Sequence, residues 1–149
     1  MPIKNYTTEV DAAKTCGEIT GLLAAKGAKR IQMDYDDAQM PSAISFIYPV
    51  HGIPVFFQLP CNIEGVLKCL KTQKGVPRSV QNREQARRIG WRILKNWLEA
   101  QLAIVEAGAA QMAEVFLPYA MHQDGKTMFA LFDEQYAQRA LSAGEKVSA

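Results

Sequence analysis

The sequence predicts a single α+β domain: a three-stranded antiparallel meander covered on one face by helices, one of them long and central. Three observations lead there. Residues 30–36, 43–48 and 53–59 alternate apolar and polar side chains and are joined by short turn-like segments, a pattern that favours neighbouring antiparallel strands. The stretches on either side repeat apolar residues at helical spacing. The chain has 149 residues, 48% of them hydrophobic and 21% charged, which suits one domain with a packed core and excludes a disordered tail or a disulfide-laced mini-protein.

The elements follow in order. Thr15-Cys16-Gly17-Glu18 has the form of a capping box, with residues from Asp11 able to extend the helix upstream and Gly27 placed to end it. In the first strand Ile31, Met33 and Tyr35 point one way and Arg30, Gln32, Asp34 and Asp36 the other. A turn over Asp36 to Pro41 leads to the second strand, with Ile44, Phe46 and Tyr48 on one face. Pro49 to Gly52 turns the chain into the third, whose Pro54 lacks an amide donor and so suits an edge. Asn62 and Asn82 are N-caps for two further helices, separated by a loop from Lys74 to Gln81 that contains Gly75 and Pro77. The second of these helices runs to about Gly108. Its apolar arc, from Ala86, Ile89, Ile93 and Trp97 round to Trp91, Leu94, Leu98 and Leu102, is broad enough to meet more than one neighbour. A short helix over Gln111 to Tyr119 stops near Pro118; Thr127 caps a last one bearing Met128, Phe132 and Tyr136, and residues 143–149 are expected to fray.

The arrangement of charge is the best clue to function. The net charge is only +2. Between Lys68 and Lys95, however, lie Lys68, Lys71, Lys74, Arg78, Arg83, Arg87, Arg88, Arg92 and Lys95, with Glu84 the only acid, for a local net of +8. The rest of the chain is net acidic. Such polarity attracts polyanions. Arginine forks grip phosphate in two-pronged fashion and lysines add point charges. The expected contacts are therefore Lys71, Lys74, Arg78, Arg83, Arg87, Arg88, Arg92 and Lys95. Phe56, out of phase with its core-facing neighbours, and Tyr6, in an apparently loose N-terminal segment, could act as stacking platforms for bases. The competing reading of the ridge that Arg88, Arg92 and Lys95 form on the long helix is a solvated face paired with acids such as Asp36, Asp37 or Glu64.

Nothing in the sequence forms a recognised active site. Walker, dinucleotide-fingerprint and nucleophile-elbow patterns are absent, so no cofactor is expected. His51 and His122 have no ligand at metal spacing, and Cys16, Cys61 and Cys69 make neither a metal pattern nor an even disulfide set. Asp34, Asp36 and Asp37 leave open a metal-dependent nuclease, and Trp91 or Trp97 on the apolar arc leaves open a protein-binding inhibitor or accessory factor. The longest apolar run is too short to span a membrane and the start of the chain lacks a signal-peptide stretch, so a cytoplasmic protein is expected.

The segments Arg30-Ile-Gln-Met-Asp-Tyr-Asp-Asp37, Phe57-Gln-Leu-Pro60, Trp91 to Leu102 and Glu114-Val-Phe-Leu-Pro-Tyr119 resemble short uncharacterised proteins of phages and mobile elements. That resemblance implies either DNA handling in replication or recombination, or the disarming of a host system. It carries no catalytic residues across. The order helix, three-strand meander, helix is similar in outline to the core of Rad-type strand-annealing proteins. The function expected is a non-enzymatic nucleic-acid binder for single-stranded DNA, working as an oligomer of the same chain.

Overall fold

In the computed structural model, which describes residues 1–148 and side chains through Gly144, the chain folds as one sheet with helices on one side. The order is α1 (Ala12–Ala25), β1 (Arg30–Tyr35), β2 (Pro41–Val50), β3 (Ile53–Gln58), α2 (Ile63–Thr72), α3 (Arg83–Glu106), α4 (Met112–Phe116) and α5 (Met128–Ser148), with single 3-10 turns at Arg78–Val80 and Leu117–Tyr119. The α+β meander is as the alternation predicts. The three strands are antiparallel in the order β1-β2-β3, with Phe46 opposite both Ile31 and Phe57. This register puts Ile44, Phe46 and Phe57 on the face that α1 and α3 cover, where all three are buried.

Two cores meet at α3. The larger joins Ile19 and Leu23 of α1 to Ile44, Phe46 and Phe57 of the sheet and to Trp91, Leu94 and Leu98. Phe46 stacks on Phe57, and Phe116 meets both rings edge-on. The Trp91 ring is fully buried and its Nε1–H donates to the carbonyl of Pro41 at 3.3 Å. The smaller core clamps α2 to α3 through Val66, Leu67, Leu70, Ala86 and Ile89. The broad apolar arc of α3 is thus used twice, once toward α1 and the sheet and once toward α2. Gly90 lies beneath Cys61 and Ile63, where an added Cβ would come within 3.7 Å of each.

Several local expectations change. Helix α1 starts at Ala12, so Thr15 is no cap: it lies buried inside the helix, its hydroxyl facing the carbonyl of Asp11 at 3.4 Å. Glu18 is thereby freed from the cap and turned toward α3. A capping box does form further on, where Gln111 and Glu114 bond reciprocally at the start of α4. Asn62 and Asn82 cap α2 and α3 as read, accepting from the amides of Gly65 and Gln85. The β3 edge is partly covered, because Met121 N–H donates to the carbonyl of Phe56 at 2.8 Å beside a bridge from Ala120 to Phe57. Tyr6 is not in a loose segment. Gln85, buried in α3, donates to the carbonyls of Tyr6 and Thr8 at 3.0 and 2.9 Å, and Asn5 donates to Asn96 at 2.8 Å. Tyr6 then packs on the smaller core. Thr127 caps α5 by accepting from Ala130 N–H, and the helix continues past Ala143 to Ser148; Ala149 lies outside the described residues.

Candidate nucleic-acid interface

The basic stretch divides at the loop between α2 and α3. On α3, every residue expected to touch phosphate has an acid of this chain beside it. Arg83 pairs with Glu64 of α2. Arg87 reaches Asp36 in the β1–β2 turn at 2.9 Å, with only 11% of its side chain exposed. Arg88 pairs with Glu84 one turn earlier at 2.8 Å and also donates to Gln85. Arg92 and Lys95 converge on Glu18 of α1 at 2.7 and 3.0 Å, and Lys95 also meets Glu99 at 3.2 Å. In sequence, Arg88, Arg92 and Lys95 form one ridge of the expected phosphate track; folding ties Arg92 and Lys95 to Glu18 of α1 and pairs Arg88 with Glu84 of its own helix.

The electrostatics agree with the geometry. Hydrogen bonds from Lys95 and then Arg92 hold the Glu18 carboxyl below its ordinary range, and the bond to Glu18 raises Lys95. Asp36 is lowered too, first by the amide of Met40 and then by Arg87 and the amide of Ala38. The Asp36 carboxylate accepts from Ala38 N–H at 2.9 Å and Met40 N–H at 3.0 Å, which closes the turn between the strands. Asp34 accepts instead from Gln32. Asp34 and Asp36 are therefore engaged in different tasks, and among the described residues no group of three His, Cys, Asp or Glu is placed to hold a metal ion. Among the described residues, Arg87 Nε is buried without a hydrogen-bond partner.

The other half of the stretch is different. Lys68 and Lys71 lie three residues apart on the outer side of α2, the spacing that places side chains on one helix face. Its opposite side buries Val66, Leu67 and Leu70. Lys74 and Arg78 follow in the connection to α3. All four are exposed and none forms an ion pair among the described residues. No acid lies between Lys68 and Arg78 in the sequence. Exposed Lys4 joins this edge, because the neighbouring Ile3 N–H donates to Gln73 Oε1 at 2.7 Å. Lys68 and Lys4 fall outside the contacts expected from sequence. The acid-free run around Lys68 is visible there, but the fold is needed to bring the N-terminal segment beside it.

Phe56 does not share this surface. It alternates with buried Phe57 and is level with Ile47 on the sheet face away from the helices. Nor does Trp91 offer a partner anchor, since it is sealed in the core. Trp97 is half-buried and meets Phe116 and Tyr119 edge-on. Beside it, a hollow of about 380 Å³ is lined by Cys61, Asn62, Gly90, Trp97 and Tyr119 among others, with no acid or histidine in its wall. Burial pushes the Cys61 thiol up to about 11 and, with Cys61 adding to the effect, the Cys16 thiol to about 12. Such thiols stay protonated and unreactive at neutral pH.

Comparison with known proteins finds no matching family model, no matching curated protein and no matching solved structure. Among the described residues no helix is long and apolar enough to cross a membrane.

Proposed function

We propose that this is a non-enzymatic nucleic-acid-binding protein that holds single-stranded DNA along the α2 edge. The observation that carries the reading is the exposed, unpaired set Lys68, Lys71, Lys74 and Arg78. Internal ion pairs leave little charge to offer a ligand, whereas unpaired surface cations release counterions from a phosphate backbone on contact. Gly75, at φ +84°, lets the connection turn tightly between Lys74 and Arg78. An edge of flexible cations tracks a backbone without reading bases, which suits a strand held with its bases available. The phage-like resemblance of the sequence points to the same kind of task, in recombination or replication.

Fluorescence anisotropy with labelled single-stranded DNA, and a duplex of equal length as control, tests the reading. Binding that weakens steeply with salt and is lost when Lys68, Lys71, Lys74 and Arg78 are all changed to Glu is the expected outcome. Absence of binding at low salt would remove the reading. Tighter binding to the duplex would keep the surface and change the ligand.

A further inference from the structure

From Phe132 to Ala143, every described side chain of α5 stands exposed to solvent. The helix is anchored at its base, where Met128 N–H donates to the carbonyl of Ala120 and the first turn rests on the Leu117–Tyr119 turn. A helical segment of the length from Phe132 to Ala143 is marginal in water by itself. Yet this one carries large apolar side chains: Phe129, Phe132 and Tyr136 are 57%, 54% and 49% exposed, and Leu117 at 54% and Met128 at 38% extend the patch at the base.

We infer that α5 is a self-association element that pairs antiparallel with α5 of a second copy about a two-fold axis near Tyr136. The order of side chains along the helix supports a second copy over another partner. Phe129, Phe132, Tyr136, Ala140 and Ala143 follow one another at spacings of three and four, so they form one stripe. Its first half is large and its second half small. Antiparallel pairing centred on Tyr136 sets Phe129 level with Ala143 of the second copy and Phe132 level with Ala140. Each ring then enters space left by an alanine, and the two-fold repeats the fit on the other side. The area is also sufficient. With side chains of roughly 200 Å² each about half exposed, the five large residues offer about 500 Å² per copy. Covering the whole patch on both copies, the Leu117 and Met128 base included, would bury at most about 1,000 Å² before the alanines are counted, the threshold for a specific interface. A patch of this size on one chain is at the upper end of what soluble monomers leave uncovered.

The inference is independent of the nucleic-acid reading, since the α5 stripe and the α2 cations share no residue. Light scattering across a concentration series tests it with the full chain. The wild type is expected at twice the monomer mass, with Phe132→Glu raising the dimer dissociation constant roughly thirtyfold or more. Ala140→Phe is the sharper variant. It adds apolar surface to an exposed helix, so it strengthens a merely sticky patch; in the antiparallel pair it collides with Phe132 of the second copy and weakens the dimer. A wild type that stays monomeric at every concentration, a dimer unaffected by Phe132→Glu, or a dimer tightened by Ala140→Phe would each overturn the arrangement. A monomer that captures a different protein through this stripe would overturn it as well.

Discussion

The two halves of the basic stretch have similar composition and opposite fates. From Lys68 to Arg78 the cations stand on the outer side of α2 and its following loop, without ion-pair partners among the described residues. From Arg83 to Lys95 the cations lie on α3, the helix that touches both cores, and each meets an acid. The difference comes from position. A helix packed on two sides leaves little open surface, so its long cationic side chains run along neighbours and end at whatever carboxylates those neighbours supply. A helix packed on one side leaves its charges in water. Density of positive charge in sequence therefore overstates what α3 can offer a polyanion.

The strongest way to break this comparison is charge reversal on α2. Changing Lys68, Lys71, Lys74 and Arg78 to Glu should abolish binding to single-stranded DNA while the protein remains folded. Neutralising them to Gln should instead flatten the dependence of log affinity on log salt by about 3, at roughly 0.7 per phosphate contact. Circular dichroism beside the anisotropy series separates loss of binding from loss of fold.

Next in size is Gln85→Ala. Gln85 is 6% exposed and its side chain donates to two carbonyls of the N-terminal segment. Its removal should cost about 1–3 kcal/mol, the usual range for leaving buried polar groups unsatisfied, read as a lower urea midpoint. The change should also loosen the segment that carries Lys4. Arg87→Met should lower the midpoint as well, by freeing the β1–β2 turn from α3, and leave the salt dependence of binding unchanged. A steep loss of affinity in folded Arg87→Met would place α3 back in the interface.

A smaller effect is expected with pH. Glu18 and Asp36 have folded pKa values below their unfolded ones. Their contribution is therefore complete above the ordinary carboxylate range near 4 and is lost as pH falls through the lower folded values. Stability should decline below about pH 4, and less so in Glu18→Gln, which has already lost its share. Equal slopes in the two proteins would mean that the Glu18 pairs contribute nothing. The smallest effect is Phe56→Ala, which should leave DNA affinity unchanged because the ring lies on the sheet face away from α2.

Much of the fold was legible because its signals are local. Period-two alternation marked the strands, Asn62 and Asn82 marked two helix starts, and the arc from Ala86 to Leu102 marked a helix with several neighbours. Thr15-x-x-Glu18 misled because the same four residues fit a helix start and a helix interior. The choice is made by burial of Ala12 and Thr15 against the rest of the molecule. The charge pattern was legible only as a total. Arg92 and Glu18 are 74 residues apart, and Arg87 and Asp36 are 51 apart, so no window along the chain shows that these charges cancel. The place of Tyr6 is hidden from the sequence for the same reason, since its anchor, Gln85, lies 79 residues away.

The most direct test of the account compares two folded variants in one salt series with labelled single-stranded DNA: Lys68, Lys71, Lys74 and Arg78 all changed to Gln, and Arg88 with Arg92 changed to Gln. The expected result is that the α2 variant loses affinity and salt dependence while the α3 variant keeps both. Retained binding in the α2 variant together with loss in the folded α3 variant would contradict the division of the basic stretch on which the proposed function stands.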